Sequence, residues 1–209
     1  MLKSWQQKKW NQKFYYFPKK EDYLYKTPHF FFKALVELFK RRPDLKRIIK
    51  VKFIGETPEW LDAMIREFGL ENNCCLYGPL LRNEALILQA KFDAFLSTTS
   101  KPIQGQEYAL NTKVFDYIQM RKPILGFVAD GPMKDFLKDC GLAFIFDPDK
   151  SHESSILLEK VVEGGYTLKP NSAYLSQFHR RYLTGKLAEI IKNVVHENHF
   201  DRRHTAPIY

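Results

Sequence analysis

The chain has 209 residues, of which 44% are hydrophobic and 15% aromatic, so it can bury the core of one domain or of one domain with extensions. No stretch approaches the ~18 consecutive apolar residues of a membrane-spanning helix, and the polar, basic start of the chain lacks the apolar region of a secretory signal. Cys74, Cys75 and Cys140 lack the spacing of a metal site or a disulfide framework. We therefore expect a cytoplasmic protein with reduced thiols.

The formal charge of +9 indicates an anionic partner, which could be a nucleic acid, an acidic membrane face or a phosphorylated ligand. Lys and Arg are spread along the chain, so a solvated surface accounts for most of this charge. No recognisable nucleic-acid-binding motif accompanies them, and we expect no nucleic-acid partner. Peripheral contact with the anionic inner face of the membrane is a secondary hypothesis.

Strands and helices are predicted to alternate along the chain. Short apolar runs predict strands at 14–17, 48–55, 74–78, 92–97, 124–128 and 142–146. Apolar residues at helical spacing predict helices at 27–42, 58–68, 83–90, 112–121, 133–139, 152–162 and 172–195. The basic segment 18–22 is predicted as a loop, and Gly141 as a helix C-cap.

This alternation predicts an α/β fold, a Rossmann-like doubly wound parallel sheet of about six strands with helices on both faces and a long C-terminal helix. We predict this domain over 14–195, a linker or N-terminal extension over 1–13 and a flexible tail over 196–209. Ligands of such sheets lie beyond the carboxyl ends of the strands. The loops that matter for binding are therefore those after Phe17, Ile54, Tyr77, Leu96 and Val128.

The segment 111–125 is the most informative part of the sequence, because it predicts a short helix, a tight turn and a buried strand. Asn111 or Thr112 can cap the helix through a side-chain oxygen, and Pro123 follows its end. A helix N-terminus that faces a crevice favours anions. Asp116 lies one turn further in, where a carboxylate can accept hydrogen bonds from sugar hydroxyls. The alternative is an ordinary amphipathic helix of an α/β protein.

Residues 113–125 read K-V-F-D-Y-I-Q-M-R-K-P-I-L. This resembles the donor-binding motif of group 1 glycosyltransferases (family 4, GT-B fold), whose usual form is K-[VL]-[FL]-E-Y-[LI]-x-x-x-K-P-[IV]-[LI]. Asp116 stands in place of the usual Glu, which keeps the charge but shortens the reach. The helix predicted over 172–195 also resembles the terminal helix of that family, so the resemblance extends over 14–195. It implies a nucleotide-sugar-binding domain of Rossmann-like fold.

The resemblance implies roles for the loops after the first and third strands. In the family an Arg and then a Lys follow the first strand and grip the donor diphosphate; Lys20 and Lys26 take these positions here. As point charges, two ammonium groups can pair with a diphosphate. The backbone from Gly78 to Leu80 would contact the nucleotide base, because a glycine lets the backbone approach a planar ring closely.

The resemblance also implies roles within the motif itself. The backbone N–H groups of Asn111, Thr112 and Lys113 would face the phosphates, and Asp116 would hold the ribose hydroxyls. Relatives often carry a further glutamate upstream, beside the donor sugar; counting back from Asp116 leads to Tyr108, with Glu107 one residue off. The catalytic residues therefore stay unassigned.

We accordingly expect the donor-binding half of a glycosyltransferase of polysaccharide biosynthesis, which transfers a hexose from a nucleotide-sugar to a glycan or lipid-linked acceptor. An acceptor-binding domain would precede Met1 or lie on a separate chain, and without it we expect nucleotide binding but no turnover. No cofactor or metal is expected, since lysines and helix N-termini balance the leaving diphosphate. The absence of G-x-G-x-x-G argues against a nicotinamide or flavin dehydrogenase. The alternatives are a non-catalytic nucleotide-binding or assembly module and half of a sugar-nucleotide epimerase.

Overall fold

The computed structural model describes the backbone of residues 20–104 and 110–204, and the side chains of 21–103 and 110–195. By its internal contacts the chain divides into two compact units, with the boundary between Lys169 and Pro170. This boundary falls inside the domain predicted over 14–195. The limits predicted at 13/14 and 195/196 stay predictions.

Helices follow most of the predicted segments. They are α1 (His29–Arg41), α2 (Pro43–Ile48), α3 (Glu59–Glu67), α4 (Arg82–Gln89), α5 (Lys113–Gln119), α6 (Pro132–Cys140), α7 (Ser151–Val162), α8 (Ser172–Ser176) and α9 (Arg180–His204). Two corrections concern helices: α2 was not predicted, and the helix predicted over 172–195 is two helices, of which the second continues to His204. Gly141 ends α6 with a left-handed backbone (φ 68°), as predicted.

The strands are short and pair mainly in parallel. They are β1 (Lys20–Asp22), β2 (Val51–Phe53), β3 (Cys74–Leu76), β4 (Phe95–Thr98), β5 (Lys101–Gln104), β6 (Ile124–Phe127) and β7 (Ala143–Phe146). β2 pairs with β3, and β4, β6 and β7 form a three-stranded parallel sheet in that order. The α/β class is therefore confirmed. The described strands form separate small sheets rather than one sheet of about six strands, and the strand predicted over 14–17 lies outside the described residues.

Helix α1 supplies much of the core of the first unit. Six of its side chains are buried: Phe31, Phe32, Ala34, Leu35, Leu38 and Phe39. Because apolar residues recur at helical spacing, one side of the helix faces the core, where it packs against α7, Phe31 meets Phe127 of β6, and Phe32 meets Phe53 of β2. The helix ends where the N–H of Arg42 donates to the carbonyl of Leu38, directly before Pro43.

Strand β6 is the centre of the three-stranded sheet, and all four of its residues are buried. Phe127 stacks on Phe146 of β7 with ring centroids 4.5 Å apart, and it meets Phe31 of α1 edge to face at 5.6 Å. On the strand, a Cβ atom at Gly126 would lie 2.8 Å from Cδ1 of Leu137 in α6. The strand is thus packed closely enough to fix the ends of the segments before and after it.

Strands β1 and β5 form an antiparallel ribbon, which the sequence did not predict. Glu21 lies opposite Pro102, and Asp22 lies opposite Lys101. The hydroxyl of Ser100 donates to Oε2 of Glu21 at 2.6 Å. The segment 18–22 was predicted as a loop because it is polar; its last three residues form a strand through pairing with residues far away in sequence.

A polar cluster of Tyr25, Lys101 and Asp149 joins this ribbon to the loop after β7. The Nζ atom of Lys101 lies 2.5 Å from Oδ2 of Asp149 and 3.3 Å from the Tyr25 hydroxyl, which itself donates to Asp149. Hydrogen bonds from Lys101 and Tyr25 hold the pKa of the Asp149 carboxyl below its usual value. The Asp149 carboxylate in turn raises the pKa of Lys101 to about 12.

Asn73 connects the end of α2 to the start of β3. Its side chain is buried, and Nδ2 donates to the carbonyls of Lys46 and Ile49, both at 2.8 Å. The backbone carbonyl of Asn73 also accepts from the N–H of Val51 at 2.8 Å. One amide therefore holds the turn that leads from α2 into β2.

We predict that Asn73→Ala lowers the free energy of unfolding by about 1–3 kcal/mol, because two carbonyls lose their amide donor in a partly buried place. Asn72→Ala is the matched control: this neighbouring side chain is exposed, and its substitution should change stability by less than about 0.5 kcal/mol. Urea denaturation followed by circular dichroism measures both, and equal losses would refute the role given to Asn73.

We also predict that Lys101→Met raises the pKa of the Asp149 carboxyl, measured by a carbon-detected NMR titration. Since the folded-state pKa is depressed, the pair stabilises the fold above the unfolded-state value of about 3.9 and loses this contribution as the pH falls through the folded-state pKa. The side chains are about half exposed, so the effect on stability should stay below about 1 kcal/mol. Lys134→Met is the control, because Lys134 lowers the pKa of Asp130 instead.

Candidate functional site

Contacts between loops lie beyond the carboxyl ends of the parallel strands, where ligands bind in sheets of this kind. After β2, the N–H of Gly55 donates to the carbonyl of Gly78, which follows β3, at 2.9 Å. After β4, the hydroxyl of Thr99 accepts from the N–H of Ala129, which follows β6, at 3.1 Å. Four of the five loops that the sequence indicated are therefore joined in pairs at the edges of their sheets.

Three apolar neighbours of Asp116 anchor helix α5. Val114 is fully buried, Phe115 meets Phe136 of α6 at 5.5 Å between ring centroids, and Tyr117 stacks on Phe95 of β4 at 4.3 Å. Burial raises the pKa of Tyr117, and the Asp116 charge adds to this effect. The side chain of Asp116 is 30% exposed to solvent. A rigid helix thus presents one carboxylate to solvent.

Arg82 pairs with Asp116 and was missed by the sequence analysis. Its Nη2 atom lies 3.2 Å from Oδ1 of Asp116, and its side chain is 70% exposed. Arg82 is the first residue of α4, four positions after Gly78. A cation at a helix N-terminus is unfavourable for the helix dipole. The unfavourable position of this cation at a helix N-terminus is the signal in the sequence that could have indicated a role for Arg82 outside its own helix.

The N-terminus of α5 differs in part from the prediction. Asn111 provides the cap, since its Oδ1 accepts from the N–H of Lys113 at 3.1 Å, while the side chain of Thr112 makes no capping hydrogen bond. The N–H of Lys113, which we expected to face a phosphate, is thus bonded to Asn111, and a phosphate would have to displace that oxygen. The helix is seven residues long, so its dipole contributes little.

Lys26 lies on the short 3-10 helix Tyr23–Lys26, which follows β1 directly. Its side chain is exposed, and its carbonyl accepts from Oγ1 of Thr98, at the end of β4, at 2.8 Å. This bond fixes the backbone of Lys26 beside the carboxyl end of a strand. Lys20 begins β1 opposite Gln104, and its side chain lies outside the described part of the structure.

The segment after β3 contains Gly78 and Leu80, for which a contact with the nucleotide base stays a prediction. Gly78 adopts φ 69°, a left-handed conformation that favours glycine, and a Cβ atom there would meet no atom within 4 Å. Leu80 is exposed to 36% and Leu81 to 74%. A small residue and exposed apolar side chains thus lie in the segment that leads to Arg82.

Some expectations fall on residues that are not described, or concern groups that the structure does not contain. Glu107 and Tyr108 lie outside the described residues. Within the described ranges, no group of three or more His, Cys, Asp or Glu side chains is arranged to hold a metal ion. Over the same residues, no helix combines the length and the apolar sequence that crossing a bilayer requires.

Comparisons with known proteins identify structural relatives. No protein-family model and no curated protein sequence matches the chain. The Anabaena protein Alr3699/HepE, solved in complex with UDP, matches with a TM-score of 0.62 and 16% identity over 81% of this chain and 46% of its own. WaaG, a glycosyltransferase involved in lipopolysaccharide biosynthesis, matches with a TM-score of 0.54 and 18% identity over 81% and 44%.

The pneumococcal O-GlcNAc transferase GtfA, solved in complex with UDP and GlcNAc, matches with a TM-score of 0.52 and 18% identity over 83% of this chain and 33% of its own. This chain thus spans less than half the length of each of these three proteins. The described part of the chain has the Rossmann-like fold of GT-B glycosyltransferase structures, which confirms the fold that the motif at 113–125 predicted.

Proposed function

We propose that this chain is the nucleotide-sugar-binding half of a glycosyltransferase that transfers a hexose to a glycan or lipid-linked acceptor in polysaccharide biosynthesis. The observation that carries the proposal is the position of Asp116. The donor-binding motif forms a helix anchored by buried apolar residues, and Asp116 on this helix contacts Arg82, just after the loop at Gly78. The fold shared with UDP-bound structures supports the same conclusion.

In this proposal, different residues contact different parts of the nucleotide-sugar donor. Asp116 accepts hydrogen bonds from the ribose hydroxyls, and the backbone at Gly78 to Leu80 contacts the base. Lys26, with Lys20, pairs with the diphosphate as it accumulates charge on leaving, which needs no metal. HepE has been solved with UDP-glucose, so uridine diphosphate sugars are the first donors to test. No catalytic residue is assigned within this chain.

The second substrate requires a partner. We propose that an acceptor-binding domain, in the same chain or on another one, completes the cleft, since the described domain holds residues for the donor only. The alternative function is a non-catalytic nucleotide-binding or assembly module. Two features favour it: the carboxylate of the motif is an Asp rather than a Glu, and Tyr108 stands where relatives often carry their other Glu.

We predict that Asp116→Ala weakens binding of uridine and UDP alike, by roughly ten- to a hundredfold, since one charged hydrogen bond is worth about 1.5–3 kcal/mol. Lys26→Ala should weaken UDP binding but leave uridine binding unchanged, because only the diphosphate meets the ammonium group.

The preferred base is identified first, by a thermal-shift panel of UDP, GDP, dTDP, ADP, CMP and their sugar conjugates. A ligand at 100 times its Kd adds about 2.7 kcal/mol.

Asp135→Ala is the matched control for Asp116→Ala, because Asp135 is an exposed carboxylate in the first turn of α6. It should leave both affinities unchanged. Unaltered binding in Asp116→Ala and Lys26→Ala would place the nucleotide elsewhere on the protein. Nucleotide binding without sugar transfer in the presence of an acceptor-binding domain would favour the assembly module.

We further predict that Arg82→Gln weakens uridine binding about two- to fivefold, because Arg82 holds Oδ1 of Asp116 and so fixes the position of the carboxylate that would accept from the ribose. An exposed pair of this kind contributes up to about 1 kcal/mol. In the Asp116→Ala background the same substitution should have no effect, which a double-mutant cycle by isothermal titration measures. Tighter binding by Arg82→Gln would show that the arginine blocks the carboxylate instead.

A further inference from the structure

Helix α4 receives little support from the apolar core. None of its eight side chains is buried, yet its first residue is Arg82, and the segment before it carries Gly78 and Leu80. An element without a buried face gains little from apolar burial, so its position depends more on polar contacts. Two such contacts, one at either end of α4, come from the motif at 113–125.

The first contact lies at the start of α4, where Nη2 of Arg82 meets Oδ1 of Asp116 at 3.2 Å. The second lies at its end, where Nζ of Lys122 donates to the carbonyl of Ala90 at 2.9 Å and also to that of Phe92. Ala90 is the C-cap of α4, so a cation at this point is favourable for the helix dipole. At about 1.5 Å per residue, the two contacts are about 12 Å apart along the helix.

The backbone directly before Lys122 is strained. Among the non-glycine residues that the structure describes, Arg121 alone has a positive φ, 51°, and its N–H donates to the carbonyl of Ile118 at 3.0 Å. A residue with a Cβ atom adopts this left-handed conformation at a cost in energy, which the surrounding structure has to offset. Residues in such conformations concentrate at binding sites and at segments that hold ligands. Here the strained turn leads into the residue that reaches the end of α4.

We propose that Lys122 is a positioning residue of the nucleotide site, which holds the end of α4 and thereby places Arg82 and the segment 78–81 against the nucleoside. This inference rests on the proposed function, and Lys122 acts through α4 rather than on the nucleotide. Helix α5 is anchored in the core by the buried Val114, so a side chain just beyond its end can pass that fixed position on to α4. Lys26, assigned to the diphosphate, is held separately by the hydrogen bond from Thr98.

The test compares Lys122→Met with the wild type by isothermal titration with uridine and with UDP. Both affinities should fall at least threefold and by the same factor, because the nucleoside contacts shift while the diphosphate contact at Lys26 stays. If Lys122 served stability alone, the variant would unfold at a lower temperature, but the folded protein would bind uridine as the wild type does. Without ligand, hydrogen exchange in the variant should be faster at Arg82–Gln89 and unchanged in α1.

Two matched variants separate the position of Lys122 from its charge. Lys91→Met removes the same charge from an exposed side chain next to Ala90 and should leave both affinities unchanged. Lys122→Arg keeps a cation that can donate to two carbonyls and should bind uridine within about twofold of the wild type. Lys122 is half-buried, so if the methionine variant does not fold by circular dichroism, Lys122→Gln replaces it with the same expectation.

The outcomes distinguish this role from the proposed function. If the wild type binds uridine and Lys122→Met binds it equally well, or if Lys91→Met loses as much, the role of Lys122 is overturned while the proposed function stands. Unchanged hydrogen exchange in α4, or a larger loss for UDP than for uridine, would also overturn it, because Lys122 would then not act on the nucleoside through α4. Failure of the wild type to bind any nucleotide would overturn the proposed function, and this role with it.

Discussion

The burial of strand β6 is the constraint on which the arrangement of the site depends. All four residues of β6 are buried, and the strand pairs with β4 on one side and β7 on the other. Because Phe127 stacks on Phe146, the register between β6 and β7 is held by packing as well as by the hydrogen-bond ladder. Helix α5 leads directly into this strand, so the position of Asp116 follows from the core.

Polar contacts then fix the loops that the core leaves free. Thr98 holds the backbone of Lys26, Thr99 holds that of Ala129, and Lys101 pairs with Asp149. Each of these bonds joins segments that are distant in sequence and lies at the carboxyl edge of the strands. A binding site needs loops that are held but not buried, and hydrogen bonds at a half-exposed edge meet that need where apolar packing could not.

The sequence predicted the features that arise from local patterns. Apolar spacing located α1 and its buried face, and the apolar runs located β2, β3, β4, β6 and β7, because these patterns record which side of an element meets the core. Features that arise from distant pairing were missed, including strand β5 and the ion pair of Arg82 with Asp116. The break between α8 and α9 at Gln177–His179 was also missed, since no Gly or Pro marks it.

Replacement of the usual Glu by Asp116 has a consequence for the balance of charge in the site. A shorter carboxylate that is paired with Arg82 forms a neutral unit, which can still accept a hydrogen bond from a ribose hydroxyl but repels a phosphate less than a lone carboxylate does. Under the proposed function, Lys26 would then contribute its cation to the diphosphate alone. Nucleotide binding would depend on side chains of the described domain, whereas transfer would also require a sugar contact and an acceptor from outside it. The two proposed activities are separable for this reason, so a domain of this kind could keep the first even where the second is absent.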